Sequence, residues 1–262
     1  MYDELKETGI CFLRKQIDDD LINDLRKAVS ISFLKHRKIQ VELNNEINSE
    51  GIALNVFNDD FAYVKLLEKL IELGIIKDLE NNFFKSKFIL NSISALDNKP
   101  NSSNFSAIVH RDIKFFSKDL PIMLNGLVLL DDFTVGNGAT MLLPNSHKIE
   151  EKPTDFSFIA DCIRAVGKKG DILLFNSNIW HCSAPNNTNE SRRAIPMTFS
   201  KSCMKQMFDY TKIIETESMY NFSEEMRQLL GFDSRVPSSL YEWYLPADKR
   251  FYKKKPRLKF LI

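Results

Sequence analysis

The sequence has little cysteine, glycine or proline: four, nine and nine residues, respectively, among 262. The cysteines are scattered and form no C-x-x-C pair, so reduced thiols in the cytoplasm are the simplest interpretation. So few glycines and prolines exclude a collagen-like or low-complexity chain. With 44% apolar residues, the chain is long enough to bury a substantial core. The four cysteines are Cys11, Cys162, Cys182 and Cys203.

Neither sign of charge is in excess, since 36 basic residues face 35 acidic ones and leave a net charge of +1. No global field therefore points to nucleic acid or to a membrane. The one local bias is the basic and aromatic stretch 249–260, interpreted as a solvated terminus, with an anion or an acidic partner as the alternative. We expect a small-molecule substrate and no nucleic-acid or membrane partner, and the sequence indicates no oligomeric state.

Long apolar runs are also missing. No run approaches the roughly 18 residues that a membrane-spanning helix needs. The first ten residues, MYDELKETGI, lack a basic segment followed by an apolar one, so we expect no secretory signal. A cytoplasmic location is the resulting expectation.

Three zones of the chain differ in their pattern of apolar and polar residues. No Pro/Gly/Ser-rich linker separates them, so we predict one domain over 1–262. Residues 1–85 contain two amphipathic helical patterns, at 18–38 and 59–79, the second with Phe61, Val64, Leu67 and Ile71 on one face. Residues 86–202 hold seven or eight short β-branched or aromatic segments without intervening helices, which predicts an antiparallel sandwich or jelly roll. Residues 203–262 look helical near SEEMRQLLG and irregular afterwards.

Two histidines and one carboxylate carry the first chemical signal. In the sequence VHRDIKFF, taken as a strand, His110 and Asp112 are two positions apart and would project from the same face. His181 follows the apolar run 172–175. Each element alone is better explained as a buried polar group. Together they supply the two-histidine, one-carboxylate face that binds non-heme Fe(II) and leaves coordination positions open; zinc also accepts such ligands.

Arg192 lies eleven residues after His181, and the sequence between them, APNNTNES, is rich in turn formers. The two residues are therefore expected on adjacent antiparallel strands that face one cavity. A planar guanidinium there suits bidentate capture of a carboxylate. Ser183 shares the face of His181 and can add a hydroxyl. Alternation turns only one of Arg192 and Arg193 inward, and the spacing favours Arg192.

Taken together, these residues resemble the phytanoyl-CoA dioxygenase family of Fe(II)/2-oxoglutarate oxygenases. The matching pieces are H-R-D at 110–112, GNGATMLLPNSHK at 136–148, G-D at 170–171 and WHCSAPNNTNESRRAI at 180–195. The likeness spans roughly residues 5–202, with a looser match at 224–232. The sequence departs from the family at Asn145 and Cys182, where glycine is common.

The resemblance implies a mainly β fold with flanking α-helices and a double-stranded β-helix (jelly-roll, cupin-like) core over 86–202. It implies Fe(II) as the metal, with 2-oxoglutarate and O2 as co-substrates. His110, Asp112 and His181 fall on the iron-ligand positions. Arg192 falls on the position that binds the distal carboxylate of 2-oxoglutarate, with Ser183 as its helper.

Weaker assignments follow from the same resemblance. Phe116 falls where relatives place an aromatic wall beside the metal, and Asn91 is a candidate for a further 2-oxoglutarate contact. His147 matches a recurring loop histidine that shapes the rim of the pocket, which we interpret as structural. In this architecture the N-terminal helical zone, the polar segment 97–106 and the chain after 202 would form a lid.

Asp112 also bears on the reaction. In halogenating relatives alanine or glycine replaces this carboxylate and vacates a halide site, so its presence favours hydroxylation, or a related oxidation such as desaturation. The polar segment 97–106 favours a small polar metabolite or natural-product intermediate as substrate. The alternatives are an acyl-CoA or other carrier-bound substrate, a catalytically inactive jelly-roll metabolite-binding protein, and a zinc hydrolase. The sequence shows no evident general base for the last of these.

Overall fold

Two antiparallel sheets form the centre of this computed structural model, which describes residues 2–45, 51–100, 107–214, 221–246 and 249–250. Within these ranges, six strands pair in the order β1-β7-β4-β9-β3-β2 (the major sheet) and three in the order β6-β5-β8 (the minor sheet). This confirms the mainly β, jelly-roll prediction. The strands are β1 (Ile10–Leu13), β2 (Ile52–Leu54), β3 (Phe88–Asn98), β4 (Met123–Leu129), β5 (Met141–Leu142), β6 (Ile163–Arg164), β7 (Ile172–Asn176), β8 (His181–Cys182) and β9 (Arg192–Lys201).

Helices precede, interrupt and follow these strands. The α-helices are α1 (Tyr2–Glu7), α2 (Asp19–Glu42), α3 (Phe61–Glu72), α4 (Ile75–Asp78), α5 (Asp155–Asp161), α6 (Tyr210–Ile213), α7 (Glu224–Leu229) and α8 (Leu240–Trp243). A π-helical segment (Leu79–Phe84) continues α4, and 3-10 turns lie at Ser146–Lys148 and Phe232–Ser234. No helix of the described ranges is long and apolar enough to cross a membrane.

The first long helix follows its sequence pattern closely. The Asp18 side chain caps α2 by accepting from the Leu21 amide, and the apolar positions of the pattern are buried. In α3 the predicted inward position of Phe61 is wrong: its side chain is 63% exposed. Val64 and Leu67 are buried as predicted, and Tyr63, Leu66 and Leu70 are buried with them. Phe61 lies in the first turn of α3, just after the Asp60 cap.

The division into a helical zone and a β core needs correction in three places. The zone 1–85 contributes both edge strands of the major sheet, since β1 pairs with β7 and β2 pairs with β3. Helix α5 lies between β5 and β6, so the strands are not free of intervening helices. The segment around His110 is not a strand: His110 makes a single bridge to His181, and bends follow it.

The two faces of the major sheet have different partners. Helices α2, α3 and α4 pack against the outer face in one apolar cluster, whereas the inner face shares a second cluster with the minor sheet. On β9, Ile195, Met197 and Phe199 belong to the outer cluster and Ala194 to the inner one. Strand alternation therefore turns Arg192 and Thr198 toward the space between the sheets.

Among the described residues after 202, helix α7 lies against the outer side of β3. Met226 and Leu229 of α7 are buried in the outer cluster, and the Gln228 side chain donates to the Phe88 carbonyl at 3.1 Å. Helix α7 therefore packs on the outer face of the major sheet and does not form the predicted lid. Residues 101–106 of the predicted polar lid and 251–260 of the basic stretch lie outside the described residues.

Candidate active site

His110, Asp112 and His181 converge, although they come from segments some seventy residues apart. One ligand atom from each lies within 4.8 Å of the others, and no other such group occurs in the ranges that the structure describes. Asp112 places one carboxylate oxygen 3.6 Å from His110 Nε2 and the other 3.6 Å from His181 Nε2. The backbones of His110 and His181 exchange two N–H···O bonds of 3.0 Å, which brings the imidazoles together.

Each imidazole is oriented by a backbone carbonyl. His110 Nδ1 lies 2.7 Å from the Ile108 carbonyl oxygen, and His181 Nδ1 lies 3.0 Å from that of Ile179. A carbonyl oxygen can only accept a hydrogen bond, so each Nδ1 carries the proton and donates it. Each Nε2 therefore keeps its lone pair toward the shared centre. The Phe175 ring packs edge-on against His181, with centroids 4.9 Å apart.

Asp112 is held by a residue from the major sheet. The Asn125 side-chain amide on β4 donates to Asp112 Oδ2 at 2.5 Å, and the Thr198 hydroxyl donates to Asn125 Oδ1 at 3.3 Å. Burial would raise the pKa of Asp112, but the electrostatic attraction of His181 and His110 and the hydrogen bond from Asn125 outweigh it and lower the pKa to about 2. The carboxylate is therefore ionised at neutral pH.

The two histidines differ in their surroundings. His181 is almost fully buried, and burial lowers its pKa, so its imidazole is neutral near pH 7. Burial also acts to lower the pKa of His110, but the negative charge of Asp112 and the hydrogen bond to the Ile108 carbonyl outweigh this effect and raise the pKa. The side chains of His110 and Asp112 remain 33% and 37% exposed, so the site opens to solvent on their side.

A cavity of about 150 Å³ between the sheets joins this triad to Arg192 and Ser183. Arg192 is 1% exposed, its guanidinium carbon lies 4.1 Å from the centre of the Phe133 ring, and its Nε and Nη1 have no hydrogen-bond partner. The buried Ser183 hydroxyl also lacks a partner. Burial lowers the pKa of Arg192 to about 10, which still leaves it charged at neutral pH. Unpaired buried donors that line one cavity fit an anionic ligand.

Arg193 shows what the neighbouring position does instead. Its Nε and Nη2 donate to Asp131 at 2.9 and 3.1 Å, and Arg26 of α2 pairs with the same carboxylate. Strand alternation thus gives one arginine a structural ion pair outside the cavity and leaves the other free within it. Arg192 is the inward one of the two, as predicted.

Three further predicted residues, Phe116, Asn91 and His147, do not line the cavity of the triad. Phe116 does not line the cavity and instead lies 5.3 Å from the Arg111 guanidinium carbon, so the ring beside the metal site is that of Phe175. Asn91, at a bulge of β3, donates to Ser200 and to the Lys205 carbonyl and does not line the cavity either. The bulge turns its amide toward the chain after 200. The buried His147 packs against Gly9, away from the triad.

The two backbone motifs around the site have structural roles. Asn145 adopts a φ of 65°, which explains how asparagine serves where glycine is common. Asp171 is buried and accepts from the amides of Lys168 and Lys15 and from Arg14, which fastens β1 to β7. Burial would raise the pKa of Asp171, but these donors outweigh it and lower the pKa.

Sequence reasoning missed Arg111 and Asn125. Arg111 is 8% exposed, and its guanidinium donates to the carbonyls of the loop after β5 while it stacks on Trp180, 4.2 Å from the ring centre. Asn125 occupies an inner position of an otherwise apolar strand. A polar residue inside such a strand was the available signal for Asn125, and an arginine between two candidate ligands was the signal for Arg111.

The residues present fit Fe(II) with 2-oxoglutarate. Two imidazole nitrogens and one carboxylate, all turned to one centre, are the donor set of non-heme Fe(II) sites. The orphaned guanidinium nitrogens of Arg192 and the orphaned hydroxyl of Ser183 lie in the same cavity and offer donors to a dicarboxylate. No described acidic residue other than Asp112 lines this cavity, so a zinc hydrolase lacks a general base there.

Comparisons with known proteins agree with this geometry. The family model "Phytanoyl-CoA dioxygenase (PhyH)" matches residues 6–194. The chain is 33% identical over 146 residues to "Uncharacterized protein Rv1501" of Mycobacterium tuberculosis, covering 53% of this chain and 54% of that protein. It is 27% identical over 139 residues to "Dioxygenase sphC" of Aspergillus fumigatus, covering 50% and 37%. The chain thus spans about half, or less, of the length of these curated relatives.

Among solved structures, AviO1 from Streptomyces viridochromogenes Tue57 superimposes with a TM-score of 0.57 at 16% identity, over 77% of this chain and 94% of that one. At this identity the likeness shows the fold alone, and it agrees with the jelly-roll core. The family model, by contrast, covers well over half of the chain and includes all three converging ligands and Arg192. The chain belongs to the phytanoyl-CoA dioxygenase (PhyH) family.

Proposed function

We propose that this protein is an Fe(II)- and 2-oxoglutarate-dependent dioxygenase that hydroxylates an unactivated C–H bond of a small polar metabolite or natural-product intermediate. One observation carries the proposal: the triad of metal-ligand type shares a cavity with a buried arginine whose Nε and Nη1 have no hydrogen-bond partner. Membership of the PhyH family and relatives named dioxygenases support it.

His110, Asp112 and His181 would hold the metal. When bound, Fe(II) with 2-oxoglutarate supplies O2 activation, so that substrate, O2 and 2-oxoglutarate give hydroxylated substrate, succinate and CO2. The chain contributes a fixed set of donors: both Nε2 atoms are free because both Nδ1 protons are committed to carbonyls. Asp112 is ionised at neutral pH, and Asn125 fixes which way its carboxylate turns.

Arg192 binds and orients the keto acid in this proposal. Its guanidinium stays charged although it is buried, and the Phe133 ring under it limits the directions in which its N–H groups can point. A carboxylate that accepts from these groups gains charge-assisted hydrogen bonds without competing intramolecular partners. Ser183 adds a hydroxyl on the same wall. The substrate approaches from the side where His110 and Asp112 are exposed.

An anaerobic titration with Fe(II), followed by 2-oxoglutarate, tests the cofactor assignment. Wild-type protein is expected to bind both, and His181→Ala to lose Fe(II) binding and succinate formation. His36→Gln is the matched control, because His36 pairs with Asp59 in the helical zone and should leave both unchanged. Retained turnover in His181→Ala would overturn the triad assignment.

An aerobic screen for succinate release then identifies the substrate class. Its arms are polar metabolites, natural-product intermediates and acyl-CoA thioesters, and we expect substrate-stimulated succinate in one of the first two. Stimulation by acyl-CoA alone would favour the carrier-bound alternative. Tight binding of metal and 2-oxoglutarate without succinate in any arm would favour a binding protein over an enzyme.

A further inference from the structure

Behind the triad, the two residues next to its ligands contact each other. Arg111 lies between His110 and Asp112, and Trp180 directly precedes His181. The Arg111 guanidinium carbon lies 4.2 Å from the centre of the Trp180 ring, a cation–π distance. The ligand segments are therefore joined twice, by the backbone bridge at the histidines and by this stack.

A third segment, the loop 144–151, ties both residues down. Arg111 Nη1 donates to the Glu150 carbonyl at 3.0 Å, and its Nη2 donates to the carbonyls of Ser146 and Ile149. Trp180 Nε1 donates to the Glu151 carbonyl at 3.1 Å. The loop thus accepts hydrogen bonds from Arg111, between His110 and Asp112, and from Trp180, next to His181.

Arg111 forms no ion pair within the described ranges, although it is 8% exposed. Burial lowers its pKa, while the nearby charges of Glu150 and Glu151 act the other way. Backbone carbonyls and an aromatic face are thus its direct partners. Burying an arginine in this way is costly for stability alone, which points to a role in fixing geometry.

We propose that Arg111 is a positioning residue: through Trp180 and the loop 144–151 it fixes His110 and Asp112 against His181, so that the three ligands are set before the metal arrives. This rests on the metal site of the proposed function. Only a planar guanidinium can reach several carbonyls while lying flat on a ring, so lysine cannot replace it. Residues that orient metal ligands typically contribute about 10-fold to 100-fold to metal affinity.

The test is anaerobic Co(II) and Fe(II) binding by titration calorimetry, with the Co(II) absorption spectrum as a readout of ligand geometry. Arg111→Lys and Trp180→Leu are each expected to weaken the metal by about 10-fold to 100-fold and to change the Co(II) spectrum. The double variant should be little worse than either single one, because both remove the same contact. Arg26→Lys, in the ion pair on the opposite side of the major sheet, should bind metal like wild type.

Circular dichroism and urea unfolding of each metal-free variant establish that it is folded. Because Arg111→Lys and Trp180→Leu change opposite sides of the same contact, the test does not depend on the folding of a single variant. Folded Arg111→Lys and Trp180→Leu that bind Co(II) with wild-type affinity and spectrum would overturn the inference while leaving the proposed function intact. A wild-type protein that binds neither metal would overturn the proposed function and, with it, this role of Arg111.

Discussion

Replacing Arg192 by methionine should change stability and 2-oxoglutarate affinity in opposite directions. The side chain is 1% exposed, and two of its guanidinium nitrogens have no partner. Each unmade hydrogen bond of a buried donor costs about 1–3 kcal/mol. The stack on Phe133 returns about 2 kcal/mol. A methionine of similar length removes both effects, so we expect the free energy of unfolding of the ligand-free protein to rise by about 2 kcal/mol, the middle of a net range of about 0–4 kcal/mol.

The affinity for 2-oxoglutarate should fall at the same time. Removing one partner of a buried, hydrogen-bonded charge pair costs about 2–5 kcal/mol of binding free energy. That range corresponds to a dissociation constant larger by about 30-fold to about 4000-fold. The metal affinity should be unchanged, because the guanidinium is not among the converging ligand atoms.

Urea unfolding of the metal-free protein and calorimetric titration of 2-oxoglutarate into the metal-loaded protein measure the two effects. Arg193→Met is the matched control: it breaks the pair with Asp131 and should lose about 1 kcal/mol of stability without a change in 2-oxoglutarate affinity. The reasoning is refuted if Arg192→Met is destabilised as much as Arg193→Met and binds 2-oxoglutarate as tightly as wild type.

Further predictions concern the frame of the site. Asn125→Leu removes the amide that orients the Asp112 carboxylate and should weaken Fe(II) binding by about 10-fold to 100-fold in a calorimetric titration; unchanged binding would contradict it. Asp171→Asn should lower the free energy of unfolding by about 2–3 kcal/mol at pH 7. Because the pKa of this carboxyl is lowered in the folded protein, the difference in the free energy of unfolding between wild type and Asp171→Asn has its full size above the ordinary pKa range of aspartate. The difference disappears as the pH falls through the folded pKa, so urea unfolding at a series of pH values from 7 downward should show the two stabilities converging. Gly138→Ala should lower the free energy of unfolding by about 3 kcal/mol or more, since a Cβ there would meet the Ala184 carbonyl oxygen at 2.3 Å and φ is +81°. Gly74→Ala is the control: φ is +72° but the space around it is open, so the loss should be about 1–2 kcal/mol. Equal urea midpoints for the two variants would contradict the clash.

The β core and the long helices could be predicted because their signals are local. Strand β9 and helix α2 repeat apolar residues with the period of their own structure, so burial follows the sequence pattern. The edge strands β1 and β2 could not be found in the same way. They are four and three residues long, and only their pairing with β7 and β3 distinguishes them from loops.

The convergence of His110 and Asp112 was predicted from strand alternation, but the structure achieves it differently. His110 makes one bridge, and the chain bends from Asp112 onward. The residues meet because His181 pairs with His110 and Asn125 draws the carboxylate inward. Spacing in the sequence indicated which residues belong together, whereas contacts with distant segments produce the arrangement.

Those distant contacts also explain how the site is held at a fixed distance from Arg192. The two histidines belong to the minor-sheet side, but Asp112 is fastened by Asn125, which sits on the major sheet directly opposite Thr198. Arg192 lies six residues before Thr198 on the same strand and faces the same cavity. The spacing between the triad and Arg192 is thus set by β9, a buried strand that is paired on both sides. Under the proposed function, backbone pairing along β9 would fix the span available to the keto acid, and the exposed side at His110 and Asp112 would be left to contact the substrate.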